Sequence, residues 1–211
     1  MSGQNDARKV PSGPHLSAAQ MVAAVRKAVA GARYDRVSVG YPGPVKNNRP
    51  AEEPVNLGRG WVRFDYERAF GKPVRFINDA AMQALGSYCG GRMLFLGLGT
   101  GLGSALVLDG LVQPLEMAHL QYRNAKTYED FLGKRGLDRV GKKRWRGLVF
   151  EIVPRLRHAF QVDEVVLGGG NAKQLKSVPP ATRLGDNANA FLGGFRLWQG
   201  PARGKPAARP R

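Results

Sequence analysis

Apolar positions along the chain change period several times, and those changes mark out alternating helices and strands. Ser17-Ala18-Ala19-Gln20 has the form of a capping box. Met21, Val22, Val25 and Val29 then recur at helical spacing, and Gly31 predicts the end of that helix. Val37-Ser38-Val39-Gly40 predicts a short strand closed by Pro42-Gly43-Pro44. Residues 46–60 carry Asn, Pro and Gly without a period and are expected to form a long functional loop. A short helix over 65–70 should lead to the strand Val74-Arg75-Phe76-Ile77, then to a helix over 79–88 and a buried strand over 93–98.

Ser104-Ala105-Leu106-Val107-Leu108 reads as a hairpin partner of that strand. Asp109-Gly110 is a strong turn signal that returns the chain through Leu111 and Val112. Residues 128–136 and 142–160 look helical, with Pro154 expected to kink or interrupt the second helix. Val165-Val166-Leu167 predicts a strand ending in Gly168-Gly169-Gly170-Asn171, and residues 188–198 a closing helix. There is no internal repeat at solenoid spacing, and the mixture predicts an α/β architecture.

A chain of 211 residues with 43% hydrophobic content suits one large domain or two small ones with a real core. No apolar run approaches the roughly 20 residues needed to span a bilayer. Residues 1–15 lack the apolar stretch of a secretory signal, so the protein reads as cytoplasmic, with no membrane partner. Cys89 is the only cysteine, which excludes an internal disulfide and a multi-cysteine zinc cluster. It reads as a small buried residue on the helix before Gly90-Gly91.

Charge changes the picture more. Lys and Arg number 33 against 16 acids, a formal net charge of +17 that attracts nucleic acid, anionic membrane or polyphosphate. Part of it lies in residues 200–211, whose prolines and lack of apolar periodicity predict a disordered basic tail. Another part is the run Gly141-Lys142-Lys143-Arg144-Trp145-Arg146 at the start of a helix, which reads first as a solvated face.

Three sets of residues carry candidate chemistry. Gly99-Thr100-Gly101-Leu102-Gly103 lies between two apolar strands, so the backbone can turn sharply and aim several N–H groups at one anion; an ordinary hairpin turn has the same composition. Gly168-Gly169-Gly170-Asn171 sits at a strand-to-helix junction, where helix amides favour phosphate, although a tight packing turn reads the same way. Neither is a Walker A motif, since no Gly-Lys-Ser/Thr comes after it. Asn78-Asp79 falls where a strand ends and a helix begins. Asp79 either caps that helix or, facing the ligand edge of the sheet, acts as a general base. Glu116, His119 and Glu129 suit the vicinal hydroxyls of a sugar, or form an ordinary surface group.

Taken in order, these motifs resemble the repressor, open-reading-frame and kinase (ROK) family of the actin-like superfamily, in particular its polyphosphate/ATP glucokinase branch. The resemblance runs from about Pro11 to Trp198. It rests on Val39-Gly40-Tyr41-Pro42-Gly43-Pro44-Val45, Asn56-Leu57-Gly58-Arg59-Gly60-Trp61, Asn78-Asp79-Ala80-Ala81, Leu98-Gly99-Thr100-Gly101-Leu102-Gly103-Ser104, Leu115-Glu116-Met117-Ala118-His119-Leu120 and Leu167-Gly168-Gly169-Gly170-Asn171.

The resemblance implies an actin-like ATPase (ribonuclease H-like) bilobal fold, with residues 1–91 in an N-terminal lobe and 92–199 in a C-terminal lobe. It implies transfer of phosphate from polyphosphate or ATP to the 6-hydroxyl of glucose or a related hexose. Asp79 would be the base, and Asn78, Glu116, His119 and Glu129 would hold the other hydroxyls. Gly99, Thr100, Gly101 and Gly103 would contact donor phosphates, Gly169, Gly170 and Asn171 would border the donor, and Mg²⁺ would bridge donor oxygens without a dedicated protein cage. Relatives are usually dimers, so a homodimer is expected. A long polyphosphate would lie along Lys142, Lys143, Arg144 and Arg146.

Three departures accompany the resemblance. The family's opening strand and Asp-x-Gly-Gly-Thr loop have no counterpart before Ser12-Gly13-Pro14, so an incomplete N-terminal lobe is expected. Ala118 stands where the family usually has Gly, and a positive φ there would strain it and tilt His119. The family's zinc cysteine cluster is absent, as in the polyphosphate branch. The alternative to a kinase is a non-catalytic sugar or polyanion binder that keeps the fold. A nucleic-acid binder ranks last, because no helix-turn-helix fits before Ser17.

Overall fold

The computed structural model describes residues 7–199; the basic tail expected over 200–211 lies outside them. Two compact units divide at the start of a helix, Met1–Asp79 and Ala80–Arg211, ahead of the Gly90-Gly91 pair where the sequence suggests a lobe boundary.

The first unit opens with α1, Ala18–Ala28, whose expected capping box is present: Gln20 N–H donates to Ser17 Oγ at 3.3 Å and Ser17 N–H to Gln20 Oε1 at 2.9 Å. Strands β1, Val37–Tyr41, and β4, Val74–Asn78, form a parallel pair in which Tyr41 lies opposite Asn78. Between them come the two-residue strands β2, Val45–Lys46, and β3, Arg49–Pro50, and the helix α2, Tyr66–Phe70, capped by Asp65.

The long loop expected over 46–60 is therefore partly ordered. Asn47 and Asn48, at φ 49° and 60°, make the tight β2–β3 turn, which asparagine tolerates through its compact polar side chain. Asn48 then treats β4 as a neighbouring strand would. Its Oδ1 accepts from Phe76 N–H at 2.7 Å and its Nδ2 donates to Val74 C=O at 2.8 Å. Further along, the Glu53 carboxylate accepts from Trp61 N–H at 3.1 Å, and the indole of Trp61 donates to Leu16 C=O. Tyr41, Trp61, Tyr66 and Phe76 form the aromatic core of the unit, with Tyr66 and Phe76 ring centroids 4.6 Å apart.

The second unit is built on a five-stranded sheet in the order β11-β10-β5-β6-β7. The strands are β5, Arg92–Leu98, β6, Leu102–Leu108, β7, Leu111–Leu115, β10, Glu164–Gly168, and β11, Thr182–Leu184. β11, β10 and β5 run parallel, whereas β5, β6 and β7 form the expected meander, with Asp109 and Gly110 both at positive φ. α3, Asp79–Ser87, enters from β4, and a small hairpin of β8, Gln121–Arg123, and β9, Lys126–Thr127, precedes α4, Tyr128–Leu132. Leu94, Leu96 and Leu98 of β5 alternate onto the face covered by α5, Lys134–Ala159, where they share a core with Trp145, Val149 and Ile152. The last helix, α6, spans Asn189–Arg196.

Two expectations are corrected by these elements. The break in α5 lies at Gly141, φ 74° and ψ 162°, and not at Pro154. The carbonyl that loses its donor to Pro154 belongs to Phe150, an exposed residue, so water can replace the missing bond. Cys89 is exposed and lies past the end of its helix. α3 stops at Ser87 because arginines take its last carbonyls: Arg183 bonds Ser87 C=O and Arg196 bonds Leu85 C=O.

Candidate functional site

The turn between β5 and β6 is held from three sides. Gly99 C=O accepts from Asn171 Nδ2 at 2.8 Å and from Lys134 N–H at 3.0 Å; the same N–H lies 3.2 Å from Thr100 C=O. Gly101 C=O accepts from Gly99 N–H at 3.1 Å, within the turn. On the far side, Leu102 N–H donates to Glu129 Oε2 at 3.2 Å. All three turn carbonyls thus have donors, while the N–H groups of Thr100 and Gly101 have no acceptor among the described residues. Two adjacent free amides beside the Thr100 hydroxyl form a small concentration of positive partial charge that suits an anion.

The two glycine motifs meet in space. Gly169, at φ 82°, lies so close to the end of β5 that a Cβ there would sit 2.5 Å from Leu98 C=O. Only glycine allows that approach, and it carries Asn171 to Gly99. The chain continues from Gly169 as a 3₁₀ turn, Gly170–Gln174, and not as the helix expected after this motif. Leu175 N–H bonds Ala172 C=O and the backbone then extends, so no stack of helix amides forms at this junction. The motif braces the β5–β6 turn through the side chain of Asn171.

Gly103 makes a second close approach: a Cβ there would lie 2.8 Å from the Cβ of Ala80. The start of α3 therefore packs directly on β6. Asn78 ends β4 and donates through Nδ2 to Gly43 C=O at 3.3 Å, so its amide steadies the Pro42-Gly43-Pro44 turn. Asp79 is the first residue of α3 and is exposed.

Glu129 lies on α4, whose capping box, Thr127 with Asp130, was legible as Thr-x-x-Asp but escaped the motif reading. The Thr127 N–H beside Asp130 holds that carboxyl below the usual range, against the opposing effect of burial, with the Thr127 hydroxyl helping. Arg135 stands 3.5 Å from Glu129 and 3.4 Å from Asp130. With one oxygen on Leu102 and the other facing Arg135, Glu129 serves first as a strut of the glycine turn.

Glu116 caps the 3₁₀ turn Met117–His119 and His119 ends it, and both residues are exposed. Met117 and Ala118 point inward, 2% and 5% exposed. Ala118 does not adopt the positive φ anticipated from its glycine counterpart, so His119 suffers no tilt from it. This turn packs on β6 and on α4, which brings Glu116 and His119 to the elements that carry the glycine turn and Glu129.

No protein-family model and no curated protein matches the chain. Solved structures do. The inorganic polyphosphate/ATP-glucomannokinase of Arthrobacter sp. strain KM matches with a TM-score of 0.69 at 23% identity, over 85% of this chain and 83% of that one. A ROK family glucokinase from Streptomyces griseus, solved with glucose and AMPPNP, matches with a TM-score of 0.67 at 18% identity, over 90% of each chain. The fold is that of the ROK sugar kinases. The ROK fold also serves a transcriptional regulator, a homologue of the E. coli MLC protein, with a TM-score of 0.63 at 15% identity over 89% of this chain and 71% of that one.

Among the described residues no helix is long and apolar enough to cross a membrane, and no three His, Cys, Asp or Glu side chains converge as a metal cage. A Mg²⁺ ion carried by phosphate groups would need only one or two protein carboxylates, not a cage.

Proposed function

We propose that the chain is a sugar kinase that transfers a phosphoryl group from polyphosphate or ATP to the 6-hydroxyl of glucose or a close hexose. The observation that carries this reading is the β5–β6 turn, whose carbonyls are all engaged and whose Thr100 and Gly101 amides remain open to an anion. Gly170 and Asn171 would border the same phosphates. Glu116 and His119, with Asn78 and Glu129, would bind sugar hydroxyls.

Asp79 would take the proton of the 6-hydroxyl. The freed oxygen forms its bond to the transferred phosphorus as the bond from that phosphorus to the donor's bridging oxygen breaks. Mg²⁺, arriving with the donor, would neutralise phosphate charge. The protein's contribution is otherwise positioning and fixed dipoles.

Support for polyphosphate as a donor comes from α5. It carries nine Lys and Arg against two acids, 9 − 2 = +7. Its first residue bonds the glycine turn through Lys134 N–H. Lys142, Lys143 and Arg144 follow the break at Gly141 and are exposed. Arg146, grouped with them on sequence, instead spends its Nε on Gln174 C=O at 2.6 Å.

The test is Asp79→Asn. Loss of at least about a thousandfold in turnover with glucose affinity kept within about threefold supports the base. Wild-type turnover in the variant would remove Asp79 from the reaction.

A further inference from the structure

One buried hydroxyl has no part in the chemistry above. Ser104, on β6, is 1% exposed in the second unit. Its Oγ donates to Leu115 C=O at 2.9 Å and accepts from Met117 N–H at 3.3 Å. Ser104 and Leu115 are register partners on β6 and β7, and β7 ends at Leu115. Met117 lies past the end of β7, so its buried N–H has no ladder partner, and the half-buried Leu115 C=O gains a side-chain donor at the same corner. A serine hydroxyl is donor and acceptor at once and satisfies both.

The two bonded groups flank Glu116. Leu115 C=O belongs to the peptide plane before the Glu116 Cα, and Met117 N–H to the plane after it. Holding both planes sets φ and ψ of Glu116, at −111° and 54°, and hence the direction in which its side chain leaves the backbone. Met117 also opens the 3₁₀ turn that carries His119, and Leu120 N–H closes it on Met117 C=O at 3.1 Å.

We propose that Ser104 is a positioning residue: a single buried hydroxyl that clamps both peptide planes around Glu116 and so aims Glu116, and through the turn His119, at the hexose. This rests on the sugar-kinase reading above. The hydroxyl touches no substrate. It acts on the affinity for the sugar and not on the phosphoryl step.

The full chain is compared as wild type, Ser104→Ala, Ser104→Thr and Val149→Ala. Val149 lies in the α5 core and serves as a control for lost stability. Ser104→Ala is expected to weaken glucose binding by calorimetry about tenfold, while turnover at saturating glucose stays within about twofold. Amide hydrogen exchange at Met117 should accelerate in the same variant. Val149→Ala should lower the melting temperature without moving glucose affinity, and Ser104→Thr should recover most of the affinity. Wild-type glucose affinity in Ser104→Ala, or an equal loss in Val149→Ala, overturns the positioning role. Unchanged exchange at Met117 removes the clamp itself. Wild-type protein that binds no hexose, with exchange at Met117 still responding to Ser104→Ala, overturns the sugar reading and the positioning role with it while leaving the clamp in place.

Discussion

The side-chain amide of Asn171 donates to the carbonyl of Gly99 at 2.8 Å, joining two glycine motifs that lie far apart in the sequence. This bond helps turn the Gly99 carbonyl inward, which leaves neighbouring N–H groups facing out. Asn171→Ala should therefore raise the Michaelis constant for the phosphoryl donor about tenfold while costing only about 1 kcal/mol of stability, because Lys134 N–H still serves Gly99. Donor titrations at saturating glucose, with thermal melts alongside, check both values. Asn171→Asp should be worse, since it sets a carboxylate oxygen against a carbonyl.

Gly169 combines positive φ with a contact that admits no Cβ. Gly169→Ala should destabilise the second unit by about 1–3 kcal/mol and also weaken donor binding, because it moves Asn171 from Gly99. Chemical denaturation and donor affinity, measured on the same preparation, should fall together. A loss confined to stability would separate the brace from the phosphate turn.

Asn48 replaces a neighbouring strand on β4 with one side chain. Asn48→Ala leaves Phe76 N–H and Val74 C=O without these partners and should cost about 2 kcal/mol, an effect of the size expected for unsatisfied buried groups. Melting of the variant against wild type decides this. Asn48→Asp should cost at least as much, since it keeps the acceptor for Phe76 N–H but sets a carboxylate oxygen against Val74 C=O.

Burial, reinforced by Glu53 and Glu52, pushes the Tyr41 phenol up to about 12 from 10.0. Burial likewise raises Tyr66. Between pH 10 and about 12 the unfolded chain releases these protons and the folded protein keeps them, so the folded state loses stability as pH rises through that window. Below pH 10 both states are protonated and the contribution is constant. Tyr41→Phe should flatten the decline above pH 10 in a series of denaturation curves, at the cost of its bond to Glu52 C=O.

On the proposed reading, the exposed run Lys142, Lys143 and Arg144 should distinguish the donors. Neutralising all three to Gln should raise the Michaelis constant for polyphosphate at least about fivefold more than that for ATP at low salt, with the gap closing as salt rises. Equal effects on both donors would detach this face of α5 from donor choice.

Much of the fold was legible because it obeys local rules. The Ser17–Gln20 box, the Asp109-Gly110 hairpin and the alternation along β5 each arise from residues close in sequence. Where reading failed, a distant partner decided. Nothing near Asn48 announces that it will pair with β4, and Cys89 is exposed because Arg183 and Arg196, from elsewhere in the chain, end α3 at Ser87. The separate helix expected from residue 142 does begin past the break at Gly141, whereas Pro154 does not interrupt it, because the exposed helix face there forgives a missing bond.

The candidate site divides the same way. Its glycines and acids stood out by residue type. Their mutual roles did not: Glu129 supports the turn through Leu102, Lys134 contributes only a backbone N–H, and Ser104 looks like any small residue on a strand. A buried serine at an inward strand position was the one signal that pointed to the clamp around Glu116.

The central claim is that the open amides of the β5–β6 turn hold a donor phosphate for transfer to a hexose. The most direct measurement is formation of glucose 6-phosphate by the purified chain with Mg²⁺ and either ATP or polyphosphate. Donor-dependent product, lost in Asp79→Asn and slowed at low donor in Asn171→Ala, is the predicted result. Folded protein that binds glucose yet forms no product with either donor would contradict it.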